Sequence, residues 1–196
     1  MTAQGVLFEE YEPDISKSQW YTPVKIAERM VDWALKNKRS IKKILEPCAG
    51  QGALVQPMLK YKVNVYAVEI DPRNVEVLPK HNRNLTVILG DFLNQKLPRT
   101  DICIMNPPYE GGNDAKFIMK SFESASIVIA LLRGVVFHGV DRWETLWKHV
   151  DIIREVRFIE RPFKGALQDF TIVELVERDF PRKRGEASPV PSIEWW

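Results

Sequence analysis

Short β-branched runs alternate with helical segments from about Ile44 to Val150, and this alternation constrains the fold more than any other feature. Strands end at Leu45, Glu69, Leu89, Met105 and Leu132, with helical stretches through about Leu59, over Pro72–Leu78 and over Ala115–Glu123. Such a pattern predicts a mostly parallel sheet with helices on both faces. Right-handed crossovers make it doubly wound. Two further runs, Ile152–Phe158 and Phe170–Glu177, have no long helix between them. They predict an antiparallel hairpin that completes a seven-stranded α/β sheet. A Trp-rich helix is expected over Arg142–Val150. Another is expected from Pro23 to about Lys38, with Thr22 as N-cap and Ile26, Met30, Val31 and Leu35 as its apolar stripe.

The 196 residues suit one domain. We expect an N-terminal arm at 1–18, a catalytic domain at 19–179 and a Pro-rich tail at 180–196 that ends in Trp195 and Trp196. The hydrophobic share of 45% and charged share of 28% exclude a mainly disordered chain. No run is long and apolar enough for a membrane span, and the N-terminus lacks a signal-peptide pattern. A cytoplasmic protein is therefore expected. Cys48 and Cys103 fall in apolar, strand-like contexts, so neither a disulfide nor a metal site is expected. The formal charge is +2, so binding to nucleic acid would have to come from local patches. The basic run from Lys36 to Lys43 is one; it equally suits a solvated helix end.

Chemistry concentrates at the carboxyl ends of the predicted strands, where open α/β sheets bind ligands. The first strand runs into Glu46-Pro47-Cys48-Ala49-Gly50-Gln51-Gly52. Gly50 and Gly52 permit close approach of the backbone to a ligand. No G-K-[ST] follows, and the longer pyrophosphate fingerprint is absent. With Glu46 adding negative charge, a ribose and an ammonium group suit this loop better than phosphates. The second strand ends in Glu69-Ile70, and an acid there accepts from ribose hydroxyls. The third ends before Asp91-Phe92, where a carboxylate can take an adenine amino group and the ring can pack on the purine. Each feature alone also fits an ordinary turn. Together, in order, they point to an adenosyl cofactor.

The fourth strand is followed by Asn106-Pro107-Pro108-Tyr109. Consecutive prolines stop the ladder and hold the preceding residues extended. The Asn106 side-chain oxygen and the Pro107 carbonyl are then two rigid acceptors for the N–H bonds of an amino group attached to a π system. They draw its nitrogen toward a tetrahedral geometry and stabilise the charge that develops there. The flat ring of Tyr109 lies beside them.

On these residues the chain resembles the S-adenosylmethionine-dependent N6-adenine DNA methyltransferases of the gamma motif order, in a minimal form. The resemblance implies a class I, Rossmann-like methyltransferase fold with S-adenosyl-L-methionine as cofactor. It also implies that Tyr21-Thr22-Pro23 is the leading motif, with the threonine helping to hold the cofactor's carboxylate. Glu46, Pro47, Ala49, Gly50 and Gly52 would face the methionine end, Glu69 and Ile70 the ribose, and Asp91 and Phe92 the adenine. Asn106, Pro107, Pro108 and Tyr109 would be the catalytic motif, with Asn106 also near the cofactor. In such enzymes the target base is flipped out of the stack. Tyr109 would stack on it, with Phe163 as a second aromatic and Lys164 beside it; Phe170 is the alternative to Phe163.

DNA is the expected substrate, and a nucleoid-associated enzyme would follow. Adenine in structured RNA is the alternative, and a protein glutamine amide is a further one. A non-catalytic subunit is disfavoured by the intact tetrapeptide and glycine loop. No separate target-recognition domain is apparent in the chain. Recognition is therefore expected to be loose, or to come from a partner protein or a second copy.

Overall fold

The computed structural model describes residues 21–36, 38, 40–79, 81–163, 167–178 and 191–196. Five strands are parallel and form the first part of one sheet: β1 (Lys43–Glu46), β2 (Asn64–Glu69), β3 (Leu85–Leu89), β4 (Ile102–Met105) and β5 (Val128–Arg133). Next to β5 lies β7 (Phe170–Glu177), antiparallel to β5 and to β6 (Val150–Arg157). The order is β3-β2-β1-β4-β5-β7-β6-β8. The α/β class, the parallel body and the antiparallel C-terminal pair all match the alternation read from the sequence.

Among the described residues the sheet has eight strands rather than the expected seven. The addition is β8 (Ser192–Trp195), which pairs parallel to the outer edge of β6. The edge of β6 carries backbone donors and acceptors that another extended segment can satisfy. Trp196 fixes the register: its N–H donates to the Arg157 carbonyl at 2.9 Å, and its carbonyl accepts from Ile159 N–H at 2.6 Å. Its ring meets Trp33 and Phe158 edge-on, with the Arg29 guanidinium 4.2 Å from the ring centre. The segment 1–18, residues 180–190 and both expected domain boundaries lie outside the described residues.

Alternation along the central strands divides the core in two. Ile44, Ile104, Ile129 and Leu131 face helices α1 (Val24–Leu35) and α2 (Val55–Leu59). Leu45, Met105, Ala130 and Leu132 face α4 (Asn113–Ser121) through Phe117 and Ile118. Between β2 and β3 lies α3 (Pro72–Val77), capped by the Asp71 carboxylate.

Helix α1 is shorter than expected and is not capped by Thr22. Pro23 is its N-cap residue and has no polar side-chain atom to cap it, while the Thr22 hydroxyl accepts from the Asn106 amide instead. The chain leaves the helix at Lys36, and Lys38 turns inward to Glu174 of β7 at 2.6 Å. Arg154 pairs with the same carboxylate. Burial lowers the Lys38 ammonium below its ordinary pKa, while Glu174 opposes that shift. Lys38 is thus a structural cation, which removes it from the basic run as a phosphate contact. The expected 142–150 helix is a short α5 (Val140–Arg142) followed by a π-type turn over Trp143–Trp147. Among the described residues no helix is long and apolar enough to cross a membrane, and no group of three or more His, Cys, Asp or Glu could hold a metal ion.

Candidate active site

Strand order reverses between β1 and β4, so the loops leaving these two strands diverge and open a crevice. The glycine loop leaves β1 and the Asn106-Pro107-Pro108-Tyr109 segment leaves β4. Cys48 bridges them: its thiol lies 3.2 Å from the Asn106 carbonyl oxygen. Cys48 is therefore a loop residue at the crevice rather than part of a strand, as its apolar context had suggested. Burial and the Glu46 charge raise its pKa well above the ordinary thiol value, so it stands protonated and can donate.

The crevice is a cavity of about 460 Å³. Of the expected cofactor residues, Tyr21, Pro47, Gly50, Glu69, Ile70, Asp91 and Phe92 line it, together with Pro107, Pro108 and Tyr109. Gly50 has φ +51° and a Cβ there would stand 3.2 Å from the Tyr21 ring. Gly52 has φ +88° and a Cβ would meet Leu78 at 2.7 Å. Only glycine fits both places without strain. Ala49 donates its N–H to the Val68 carbonyl and accepts from Gly52 N–H, which folds the loop back on β2.

Glu69 organises the ribose end. One carboxylate oxygen accepts from Gly50 N–H at 2.6 Å; the other accepts from Asp71 N–H at 2.8 Å and from the Asn74 amide at 3.4 Å. A carboxylate offers about four acceptor sites. A ligand hydroxyl can therefore bind Glu69 with the loop as it stands, and a second one competes with the loop's own bonds. Asp91 accepts from Leu93 N–H and the Asn94 amide. Phe92 packs on Phe117, with ring centres 5.0 Å apart. Ile70 leaves an apolar face exposed at the cavity rim.

Glu46 lies beneath the loop and is buried. One oxygen accepts from the Cys48 N–H at 3.2 Å, and the other has no hydrogen-bond partner. Burial pushes its pKa up to about 8, against the lowering effect of the Cys48 bonds; the nearby Glu69 charge adds to the rise. An orphaned buried carboxyl oxygen, the carboxylates of Glu69 and Asp91 at the cavity and a glycine cradle fit a cofactor with a ribose and a cationic end. These are the features of S-adenosyl-L-methionine.

Asn106 is held from both sides. Its side-chain nitrogen donates to Thr22 Oγ1 at 3.0 Å, and its side-chain oxygen accepts from the Tyr109 hydroxyl at 2.5 Å. That hydroxyl also lies 3.0 Å from the Leu131 carbonyl oxygen, and burial raises its pKa well above the usual phenol range. Tyr109 is only 3% exposed: Arg133 lies over its ring, 4.8 Å from the centre, and Phe170 meets it edge-on. Phe163 is 5% exposed and packs on Phe170, with ring centres 4.6 Å apart. It sits in the core behind Tyr109 and is not among the cavity-lining residues. Lys164 lies outside the described residues.

Sequence reasoning missed Arg133, Asn74 and the Asp114–Arg142 pair. Arg133 ends β5 and donates to the Tyr109 carbonyl at 3.1 Å. Its one signal is a cation closing the apolar run before Gly134. Asp114 opens α4, just after Asn113 at the cavity, and is buried against Arg142. Nothing in the local spacing of Asp114 and Arg142 reveals that contact.

Fold and crevice define a class I methyltransferase. A family model described as ribosomal RNA adenine dimethylase matches residues 17–133, and the chain belongs to that family. S-adenosyl-L-methionine is the cofactor. The chain is 32% identical over 148 residues to the "Probable ribosomal RNA small subunit methyltransferase A" of Thermococcus onnurineus, covering 72% of this chain and 54% of that one. It is 30% identical over 141 residues to the type II methyltransferase M.AccI of Acinetobacter calcoaceticus, covering 63% and 26%. The chain spans about a quarter to about half the length of the curated relatives it matches. Among solved structures, PH1948 from Pyrococcus horikoshii superposes with a TM-score of 0.67 at 22% identity, over 85% of this chain and 91% of that one.

Proposed function

We propose that this protein methylates the N6 amino group of adenine in structured RNA, of the kind found in ribosomes. The observation that carries the reading is the juxtaposition of Asn106 with the glycine loop across the β1/β4 crevice, closed by the contact between Cys48 and the Asn106 carbonyl. S-adenosyl-L-methionine supplies an activated methyl group there. Tyr21, Thr22, Pro23, Glu46, Pro47, Ala49, Gly50 and Gly52 hold its methionine end, Glu69 and Ile70 its ribose, and Asp91 and Phe92 its adenine.

The chain's own residues prepare the acceptor. A carboxamide oxygen accepts two hydrogen bonds. The Tyr109 hydroxyl can hold the Asn106 oxygen in place while that oxygen accepts from an adenine N–H. Pro107 offers its carbonyl to the other N–H, and Pro107-Pro108 keeps the backbone rigid. These dipoles are oriented before reaction and stabilise the positive charge that develops on N6. The extra proton leaves to solvent, since no strong base lines the cavity among the described residues. Tyr109, Phe163 and Lys164 are proposed to contact the flipped base. In the present geometry that requires Arg133 to withdraw from the Tyr109 ring and Phe163 to leave Phe170.

The family and the Thermococcus relative support RNA over the DNA substrate expected from the sequence. DNA is the second reading, and the likeness to M.AccI favours it. The test is labelled methyl transfer to unmethylated ribosomal RNA and to unmethylated DNA, followed by digestion to nucleosides. N6-methylated or N6,N6-dimethylated adenosine from RNA alone is the expected product. Label in deoxyadenosine alone would replace the RNA reading with the DNA one.

A further inference from the structure

The segment between β5 and β6 keeps an unusual amount of apolar surface in water. Val135, Phe137, Val140 and Trp143 lie within nine residues and are 50%, 36%, 77% and 51% exposed. Single exposed apolar side chains are ordinary, but a cluster of them marks an interaction site. Two of the four are aromatic, and each has a partner on the body of the protein. Phe137 lies parallel to Trp147, with ring centres 5.2 Å apart and an interplanar angle of 11°. Trp147 is locked by a 2.7 Å bond from its indole N–H to the Val136 carbonyl, next to the buried Leu146. Trp143 has the Arg178 guanidinium 5.9 Å from its ring centre. Arg178 is itself fixed by bonds to the Trp147 and Val150 carbonyls.

This segment is fastened to the candidate active site at two points. Arg133, directly before it, donates to the Tyr109 carbonyl. Arg142, within it, pairs with Asp114 at the start of α4. The exposed rings therefore belong to a segment that Arg133 and Arg142 tie to the crevice. The local charges are nearly balanced, since Arg142, Lys148 and Arg178 pair with Asp114, Glu144 and Asp151. With a formal charge of only +2, bulk attraction to phosphates is weak. Flat rings offer a grip that does not depend on charge, because every base has a π face.

We propose that Phe137, backed by Trp147, and Trp143 form a stacking platform for a nucleotide flanking the target adenosine in a single-stranded stretch of RNA. The proposal rests on the RNA reading above. Extruding one base leaves its neighbour without a stacking partner, and the platform replaces that partner.

The test uses the full chain and a short oligouridine carrying one adenosine, because stacking platforms tolerate sequence. Two further oligonucleotides carry an abasic spacer on either side of the adenosine. Wild-type protein should bind one spacer oligonucleotide about 5- to 150-fold more weakly than the intact one. Phe137→Ala or Trp143→Ala should lose a similar factor on the intact oligonucleotide and no longer distinguish the spacer. Both variants should keep the wild-type melting temperature and cofactor affinity. Equal wild-type binding of all three oligonucleotides overturns the platform, and that comparison needs no variant. Variants that bind intact RNA like the wild type overturn it too, and leave the patch to a protein partner. If the wild type methylates RNA while either of these results holds, only the platform fails. If the wild type neither binds nor methylates RNA, the RNA reading fails and the platform falls with it.

Discussion

The side-chain nitrogen of Asn106 donates to the hydroxyl oxygen of Thr22 at 3.0 Å, across 84 residues of sequence. The two residues belong to motifs far apart in the sequence that meet in the site. This bond, with the Tyr109 hydroxyl on the other face, fixes which way the carboxamide points. A carboxamide whose nitrogen is engaged by Thr22 presents its oxygen to the Tyr109 hydroxyl, with a second acceptor site left for an adenine N–H. Thr22→Val keeps the shape and removes the acceptor. Leaving a buried donor unsatisfied costs ~1–3 kcal/mol, so methyl transfer should fall by roughly 5- to 150-fold. Thr22→Ser should restore most of the rate. Steady-state kinetics of the two variants check this, and equal rates for Thr22→Val and wild type would contradict it.

Glu69 is expected to bind the cofactor's ribose while bracing the loop through Gly50 and Asp71. Glu69→Ala should weaken cofactor binding by ~1.5–3 kcal/mol, the range for hydrogen bonds to a charged group. Isothermal calorimetry reads this directly. An unchanged affinity would remove Glu69 from the ribose site.

Glu46 makes stability depend on pH in a definite direction. Its pKa is raised from 4.5 to about 8 in the folded chain. Between those values the native state keeps a proton that the unfolded state has lost. The contribution of Glu46 to stability should therefore be full below the lower value and fall as pH rises through the window, by ~1.4 kcal/mol per pH unit at most. Glu46→Gln cannot ionise and should flatten this part of the profile. Denaturant midpoints at two pH values within the window test it. Parallel slopes for wild type and variant would show that Glu46 is ionised in the native state.

Gly52 sits at φ +88° with Leu78 in the place of a Cβ. Gly52→Ala combines an unfavourable backbone with a clash against a buried leucine. Such strain costs ~1–3 kcal/mol, which for a chain of this size lowers the melting temperature by about 2–12 °C. A melting curve that superposes on the wild type would mean that the loop can refold around the methyl group.

Much of this site was legible because chemistry and periodicity coincide. The parallel body follows from short apolar runs with helical patterns between them. Glu46, Glu69, Asp91 and Asn106 stand out as polar residues at the ends of such runs. What stayed hidden was non-local. Thr22 reads as a helix cap from its neighbours, and only the approach of Asn106 takes it away from α1. Tyr109 reads as an open ring beside two prolines, yet Arg133 covers it from the end of another strand. Phe163 reads as a loop aromatic, but its contact with Phe170 draws it into the core. The tail reads as an extended segment whose tryptophans can dock on the body or on a partner, but its pairing as β8 was hidden because a four-residue strand has little pattern of its own and is defined by the edge of β6.

The central claim is that Asn106 acts on the acceptor's amino group rather than in building the fold or holding the cofactor. The most direct measurement pairs calorimetry of S-adenosyl-L-methionine binding with labelled methyl transfer to unmethylated ribosomal RNA, for wild type and Asn106→Ala. Cofactor affinity should stay close to wild type in the variant, and transfer should be lost. Transfer at the wild-type rate by Asn106→Ala would contradict it.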